Sequence, residues 1–364
     1  MLPPLSEQHR IVAKIEELFS ELDKGVENLK TAREQLKVYR QALLKHAFEG
    51  KLTVQWRKAN RDKLETADAL LKRIQTERAQ RYQQELEKWE AAGKQGSKPK
   101  VPKVLPPLTA EELAELPELP KGWVGKRLGW MTCSVEYGTA AKSAELGSCP
   151  VLRMGNIQNG KFDWTDLVFT DDEAEIAKYS LREGDVLFNR TNSPELVGKS
   201  AIFKAKQQAL FAGYLIRVNQ IPSIADSRYL NYFLNSHIAK QHGNKVKTDG
   251  VNQSNINGDK LINYPFPFCS IYEQEIIVEV LDSRLSEVDQ LQQTIAATLQ
   301  QAAALRQSIL KKAFSGQLVP QDPKDEPAST LLARIKAERV AAVVKPRKGS
   351  TGNKLLPVEN RLHP

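Results

Sequence analysis

Apolar residues recur every three or four positions over two long stretches of the chain, and between them the rhythm changes to short runs of β-branched and aromatic residues. The first stripe runs through Ile11, Ile15, Leu18, Leu22, Gly25, Leu29, Ala32, Leu36, Tyr39 and Leu43, broken only at Gly25. The second runs through Ile277, Leu281, Arg284, Val288, Leu291, Ile295, Thr298, Ala302, Leu305 and Ile309, broken at Arg284 and Thr298. Heptad spacing of this kind predicts a helix whose narrow apolar face must be covered by another helix. Each helix would be about 60 Å long at roughly 1.5 Å per residue.

The two stretches are copies of one another. Glu7-Gln8 matches Glu273-Gln274, Ile11-Val12 matches Ile277-Val278, Ser20-Glu21 matches Ser286-Glu287 and Asp23 matches Asp289, all at a separation of 266 residues. The same offset aligns QALLKHAFEGKL (41–52) with QSILKKAFSGQL (307–318). Both helices should end at Phe48-Glu49-Gly50 and Phe314-Ser315-Gly316, where glycine can take the left-handed conformation that closes a helix. LLKRIQTER, ending at Arg78, then matches LLARIKAER, ending at Arg339, which predicts a shorter second helix in each copy. Two matched stripes of equal length would most simply pack on each other.

In the central stretch the pattern predicts strands over 151–157, 185–191, 199–205 and 213–219. It also predicts a helix over 228–242 with Tyr229, Leu230, Phe233, Leu234 and Ile238 on its apolar face. The chain is thus expected to be α+β: one mixed, mainly β domain (117–270) flanked by two long coiled-coil-like helical regions (1–79 and 271–343). A basic linker rich in lysine, glycine and proline (80–116) and a tail of the same character (344–364) complete it. That composition buries too little apolar surface to fold and reads as a solvated tether.

Charge sharpens this picture. A net charge of +9 and a pI near 9.2 favour a polyanionic partner. Polar residues able to meet nucleic acid gather at the ends of the predicted strands. Arg153 and Asn156 lie in the first, Asn189, Arg190 and Asn192 close the second, Lys199 opens the third, and Lys245, Lys247, Asn252, Gln253 and Asn255 follow the helix. Arginine, asparagine and glutamine can pair bidentately with base edges, whereas lysine mainly meets phosphate. Asparagine and serine are also turn formers, so any one of these positions can be structural.

Catalytic constellations are missing from the sequence. VGKSAIF lacks the earlier glycine of a phosphate-binding loop, and His9, His46, His237, His242 and His363 are scattered. Asp185, Glu195 and Lys199 only loosely approach the spacing of a metal-dependent nuclease. Cys133, Cys149 and Cys269 show neither a zinc spacing nor a disulfide framework. No leader and no apolar run of membrane-spanning length is visible, so a cytoplasmic protein without membrane contact is expected. A pure interaction scaffold, whose helices assemble proteins while its β domain binds peptide or RNA, is the competing class.

Over nearly its whole length the chain resembles the specificity subunit of type I restriction-modification enzymes. LPPLSEQHRIVAKI (2–15) and PFPFCSIYEQEIIVEVL (265–281) look like that family's junction between a target-recognition domain and a spacer helix. LPKGWVGKRLG (119–129) looks like its domain-opening sequence, and GDVLFNRT (184–191), GVNQSNINGDKL (250–261) and the paired KHAFEGKL and KKAFSGQL are further marks. The resemblance implies a subunit that binds double-stranded DNA, has no active site and no cofactor, and docks methyltransferase and restriction subunits. Family members usually carry two recognition domains held by an antiparallel spacer, each reading half of a bipartite target. One such domain is present here. The expectation is therefore a half-subunit completed by a second copy or another specificity chain, a fragment of a longer subunit, or a product of gene rearrangement. A dimer of identical halves would read a palindromic split target.

Overall fold

The computed structural model describes residues 3–344 apart from 97, 100, 205 and 206. The tail expected over 344–364 lies, beyond its first residue, outside the described residues. The helices are α1 (Leu5–Phe48), α2 (Val54–Ala59), α3 (Ala67–Ala91), α4 (Ala110–Leu113), α5 (Glu173–Tyr179), α6 (Ser227–Leu234), α7 (His237–Val246), α8 (Gly258–Ile262), α9 (Ile271–Phe314) and α10 (Ala328–Val344). The repeat is kept to the residue: α1 and α9 each have 44 residues, and both of their ends differ by the same 266 positions. No described helix is long and apolar enough to cross a membrane.

The chain divides into two compact bodies, one formed by the described residues up to Arg33 and from Gln293, the other by Glu34–Gln292. The boundaries expected near 79, 116 and 270 do not separate these bodies. In the first body, the N-terminal part of α1 runs antiparallel to the C-terminal part of α9. Arg306 bonds Asp23 at 2.6 Å and lies 4.3 Å over the Phe19 ring. Arg10 and Ser6 both bond Asp325, each at 2.5 Å.

The second body holds all the strands. These are β1 (Val124–Arg127), β2 (Thr132–Tyr137), β3 (Cys149–Leu152), β4 (Ile157–Gln158), β5 (Lys161–Phe162), β6 (Val168–Thr170) and β7 (Val186–Asn189). They continue with β8 (Thr191–Asn192), β9 (Ser200–Ile202), β10 (Leu210–Phe211), β11 (Leu215–Gln220), β12 (Thr248–Asp249), β13 (Ser254–Asn255) and β14 (Pro265–Phe268). The largest sheet is antiparallel with order β2-β11-β7-β9, beside three-stranded sheets β10-β3-β6 and β12-β13-β8 and the pairs β1-β14 and β4-β5. Its main core joins sheet residues such as Phe188 and Ile216 to α6, to Leu70 and Ile74 of α3, and to both long helices. Phe48 of α1 is fully buried, its ring 5.2 Å from that of Tyr229 and 5.4 Å from that of Phe233 on α6. Burial of such rings is the main force holding the β domain to the helices.

Two buried side chains complete the attachment. Glu273, 1% exposed, accepts hydrogen bonds from Thr53 Oγ1 (2.7 Å), Arg57 Nη1 (2.5 Å) and Trp123 Nε1 (2.8 Å). Gln274 donates to the carbonyls of Ile224 (2.9 Å) and Cys269 (3.1 Å) and accepts from Asp226 N–H (3.0 Å). Every donor and acceptor is matched, as a buried charge requires. The Trp of the LPKGW motif is thus an anchor for α9.

Three sequence expectations need correction. The helix over 228–242 is two helices, because Ser236 takes an N-cap role, accepting from Ala239 N–H, and starts α7 anew. The stripe also shifts by one residue at several places, with Val26, Arg40, Leu285 and Gln292 less exposed than their neighbours Gly25, Tyr39, Arg284 and Leu291. Leu281, Val288, Ile295, Ala302 and Ile309 stay covered to the end of α9, so the seven-residue repeat holds and only its second position lies one residue later than the apolar pattern suggested. Finally, 80–116 is no simple tether. Helix continues into it as far as Ala91, as expected, but beyond that Leu105 and Leu116 are buried, and Arg127 holds the segment through the carbonyls of Pro106 (2.8 Å) and Pro107 (3.1 Å) and the Glu112 carboxylate. Prolines interleaved with leucines hid that packing from a reading of composition.

Candidate nucleic-acid interface

A β-hairpin brings together two polar segments that lie sixty residues apart in sequence. Asn255 pairs with Thr191 and Ser254 with Asn192, while Thr248 and Asp249 pair back onto the same strand. Ile256 N–H donates to the Arg190 carbonyl at 2.8 Å and prolongs the ladder. The turn closes with Gly250 N–H donating to Gln253 O at 2.7 Å, and at its tip Val251 is fully exposed. Thr191 and the hairpin line an open hollow of about 640 Å³.

Arg190 stands at the root of this hairpin. Its guanidinium lies 4.8 Å over the Tyr137 ring and donates through Nη1 to Gly213 O at 3.3 Å. Its Nε is buried without a partner among the described residues. A buried donor left unpaired costs free energy and calls for an explanation such as a missing ligand group. Tyr137 and Tyr214 are both exposed close to it, since Arg190 N–H bonds the Tyr214 carbonyl at 3.0 Å. Neither tyrosine was singled out from sequence, because each sits at a strand edge with no local motif.

The predicted site residues divide into groups. Asn192 and Asn255 lie in the hairpin sheet, Asn252 and Gln253 in its turn and Arg190 just before β8, and Asn255 also donates to Thr191 Oγ1 at 2.7 Å. Lys247 reaches the loop beside β8 through Pro194 O at 3.2 Å. Lys245 is committed to Glu115 at 3.0 Å, the carboxylate that also meets His242 Nδ1 at 2.8 Å. Lys199 precedes β9, and burial holds its ammonium below the usual lysine range.

Asn189, Asn156 and Arg153 do not join this surface. Asn189 is completely buried in β7. Asn156, 3% exposed, accepts from Arg153 N–H at 2.8 Å and donates to the carbonyls of Asp163 and Asp166. It is a turn former, and Arg153 bonds Asp166 beside it at 3.1 Å. Asp185 of the nuclease-like spacing is paired with Arg217 at 3.2 Å, and no group of three His, Cys, Asp or Glu among the described residues could hold a metal.

Residues 120–301, which span the β domain and much of α9, match the family model of the type I restriction modification DNA specificity domain. The chain belongs to that family. It is 27% identical over 355 residues to the EcoKI specificity subunit of Escherichia coli K12, covering 94% of this chain and 64% of that protein. It is 31% identical over 209 residues to the StySPI specificity subunit of Salmonella potsdam, covering 55% of this chain and 44% of that protein. The chain thus spans less than two thirds of the relatives it matches. Its fold is also similar to a chain from a solved type I restriction-modification system, with TM-score 0.54, 21% identity, and coverage of 87% of this chain and 61% of the other.

Proposed function

We propose that this chain reads one half of a DNA target for a type I restriction-modification complex, carries no catalysis itself, and places methyltransferase and restriction subunits on that target. The observation that carries this reading is the hairpin, whose turn exposes Asn252 and Gln253 while the half-buried Arg190, Asn192 and Asn255 stand at its base. Such side chains can pair with base edges in a groove of the duplex. Lys199 and Lys247 flank them and suit phosphate. The test is co-expression with the cognate methyltransferase subunit and mapping of methylated sites. Arg190→Gln with Asn252→Ala should lose or relax methylation at the motif while the complex keeps its mass. An unchanged motif removes the hairpin from recognition.

The exposed face around Phe314 favours the packing of a further domain. Phe314 is 87% exposed, whereas its repeat equivalent Phe48 is buried by this chain's own β domain. We take the occupant to be a second recognition domain. Tyr229 and Phe233 are already engaged by Phe48, so a second copy of the chain could offer its own domain only by exchange. A palindromic methylated motif would mark exchange between two copies, and an asymmetric one a second, different recognition domain.

A further inference from the structure

Beyond the hairpin, a line of cations leads from it to the helices, all within the second body. Lys247 touches the loop after β8 through Pro194 O. Lys199 leaves the same loop at its other end. Lys240 of α7 is close enough to Lys199 that, besides the loss of solvation, their mutual repulsion lowers its ammonium's proton affinity. Lys240, Lys204 and Lys161 then line one hollow of about 380 Å³ bounded by α1, α6 and α9. Lys161 closes the line on Asp289 of α9 at 2.5 Å.

Positive charge outweighs negative charge along this path. The facing acids are already engaged: Asp289 with Arg40 and Lys161, and Asp282 with Arg228 and Tyr232. Asp249 sits 3.8 Å from Lys247. Lys199, Lys204 and Lys240 have no hydrogen-bond or ion-pair partner among the described residues. Crowding like charges costs free energy that a bound polyanion would recover. Lysine, a point charge on a flexible stem, suits contact with phosphate that is indifferent to sequence.

We infer that Lys247, Lys199, Lys240, Lys204 and Lys161 form a track for the sugar-phosphate backbone of the duplex, leading from the base-reading hairpin to the helices. The ligand class is a phosphodiester chain, because an isolated anion would need only one of these positions. The inference rests on the DNA reading above, and the two fail in different ways.

The experiment measures affinity of the full chain for a random-sequence 30-bp duplex between 50 and 200 mM salt. Each lost phosphate contact lowers the salt slope by about 0.9. The variant K199Q/K204Q/K240Q should therefore lose roughly 40-fold less affinity over that range than the parent chain, if all three lysines contact phosphate. A control that removes three exposed lysines elsewhere, K58Q/K88Q/K121Q, should keep the parental slope. An unchanged slope in the first variant with an unchanged melting curve overturns the track, as does an equal fall in the control. No salt dependence in the parent chain overturns the DNA reading itself.

Discussion

The segment ending at Phe48 and the segment ending at Phe314 are the same structure in two surroundings. At the first, Gly50 has φ 66°, Gly50 N–H donates to Ala47 O at 3.0 Å and Lys51 N–H to His46 O at 2.9 Å. At the second, Gly316 has φ 72°, Gly316 N–H donates to Ala313 O at 3.3 Å and Gln317 N–H to Lys312 O at 2.8 Å. These are matching helix stops of the Schellman type. The likeness extends to the helix starts, where Gln274 donates to Cys269 O and Gln8 to Pro3 O, again 266 residues apart. The surroundings differ. A Cβ on Gly50 would lie 2.4 Å from Pro120, while one on Gly316 would meet nothing. Val278 is fully buried and Val12 is 51% exposed. Local sequence sets the conformation, and the presence of a packed domain sets the burial.

The largest test of that contrast is a pair of identical substitutions. Phe48→Ala should cost about 3–5 kcal/mol, the range for a large ring removed from a packed core. Phe314→Ala should change the stability of the chain by less than about 0.5 kcal/mol. Urea denaturation of both variants reads the difference. Equal costs would mean that Phe314 is covered in solution. If a separate recognition domain seats there, Phe314→Ala should instead weaken that association.

A second pair probes the buried carboxylate. Glu273→Gln removes the charge that Arg57 and Trp123 address, leaving Arg57 partly buried without its partner, and should cost about 3 kcal/mol. Glu7, its repeat equivalent, has no counterpart of Arg57, because Pro323 stands at that place. Glu7 is nonetheless buried, so Glu7→Gln should cost about 1–2 kcal/mol by thermal denaturation, less than Glu273→Gln. A large loss at Glu7 would reveal a partner for it and break the contrast.

Periodicity and self-similarity made the helical pair legible, since a repeat of 266 residues needs no tertiary knowledge to be seen. The hairpin sheet was legible only as its parts. GVNQSN and NRTN each look like a turn, and nothing local says that residues 191 and 255 face each other across a ladder. Asn156 and Asn189 misled for the complementary reason: a side chain that reads bases and one that ties a turn have the same chemistry, and only burial separates them. The engaged face of Trp123 was hidden because its partner, Glu273, lies 150 residues away.

The smallest effect concerns the ion pairs that the repeat makes reciprocal. Arg40 meets Asp289 and Arg306 meets Asp23, and each residue of the first pair lies 266 positions from a residue of the second. The first pair is mostly shielded, with side chains 15% and 25% exposed, and the second is open, at 43% and 54%. Water and salt screen the open pair, so double-mutant cycles should give a coupling near 0.3 kcal/mol for Arg306 with Asp23 and about 1 kcal/mol for Arg40 with Asp289. Lys161 also bonds Asp289, so Asp289→Asn releases two cations at once and the cycle must be repeated in a Lys161→Gln background. There the Arg40 coupling should stand alone and remain the larger. If the two couplings are equal, shielding by the β domain contributes nothing to the pair, and sequence identity alone governs both.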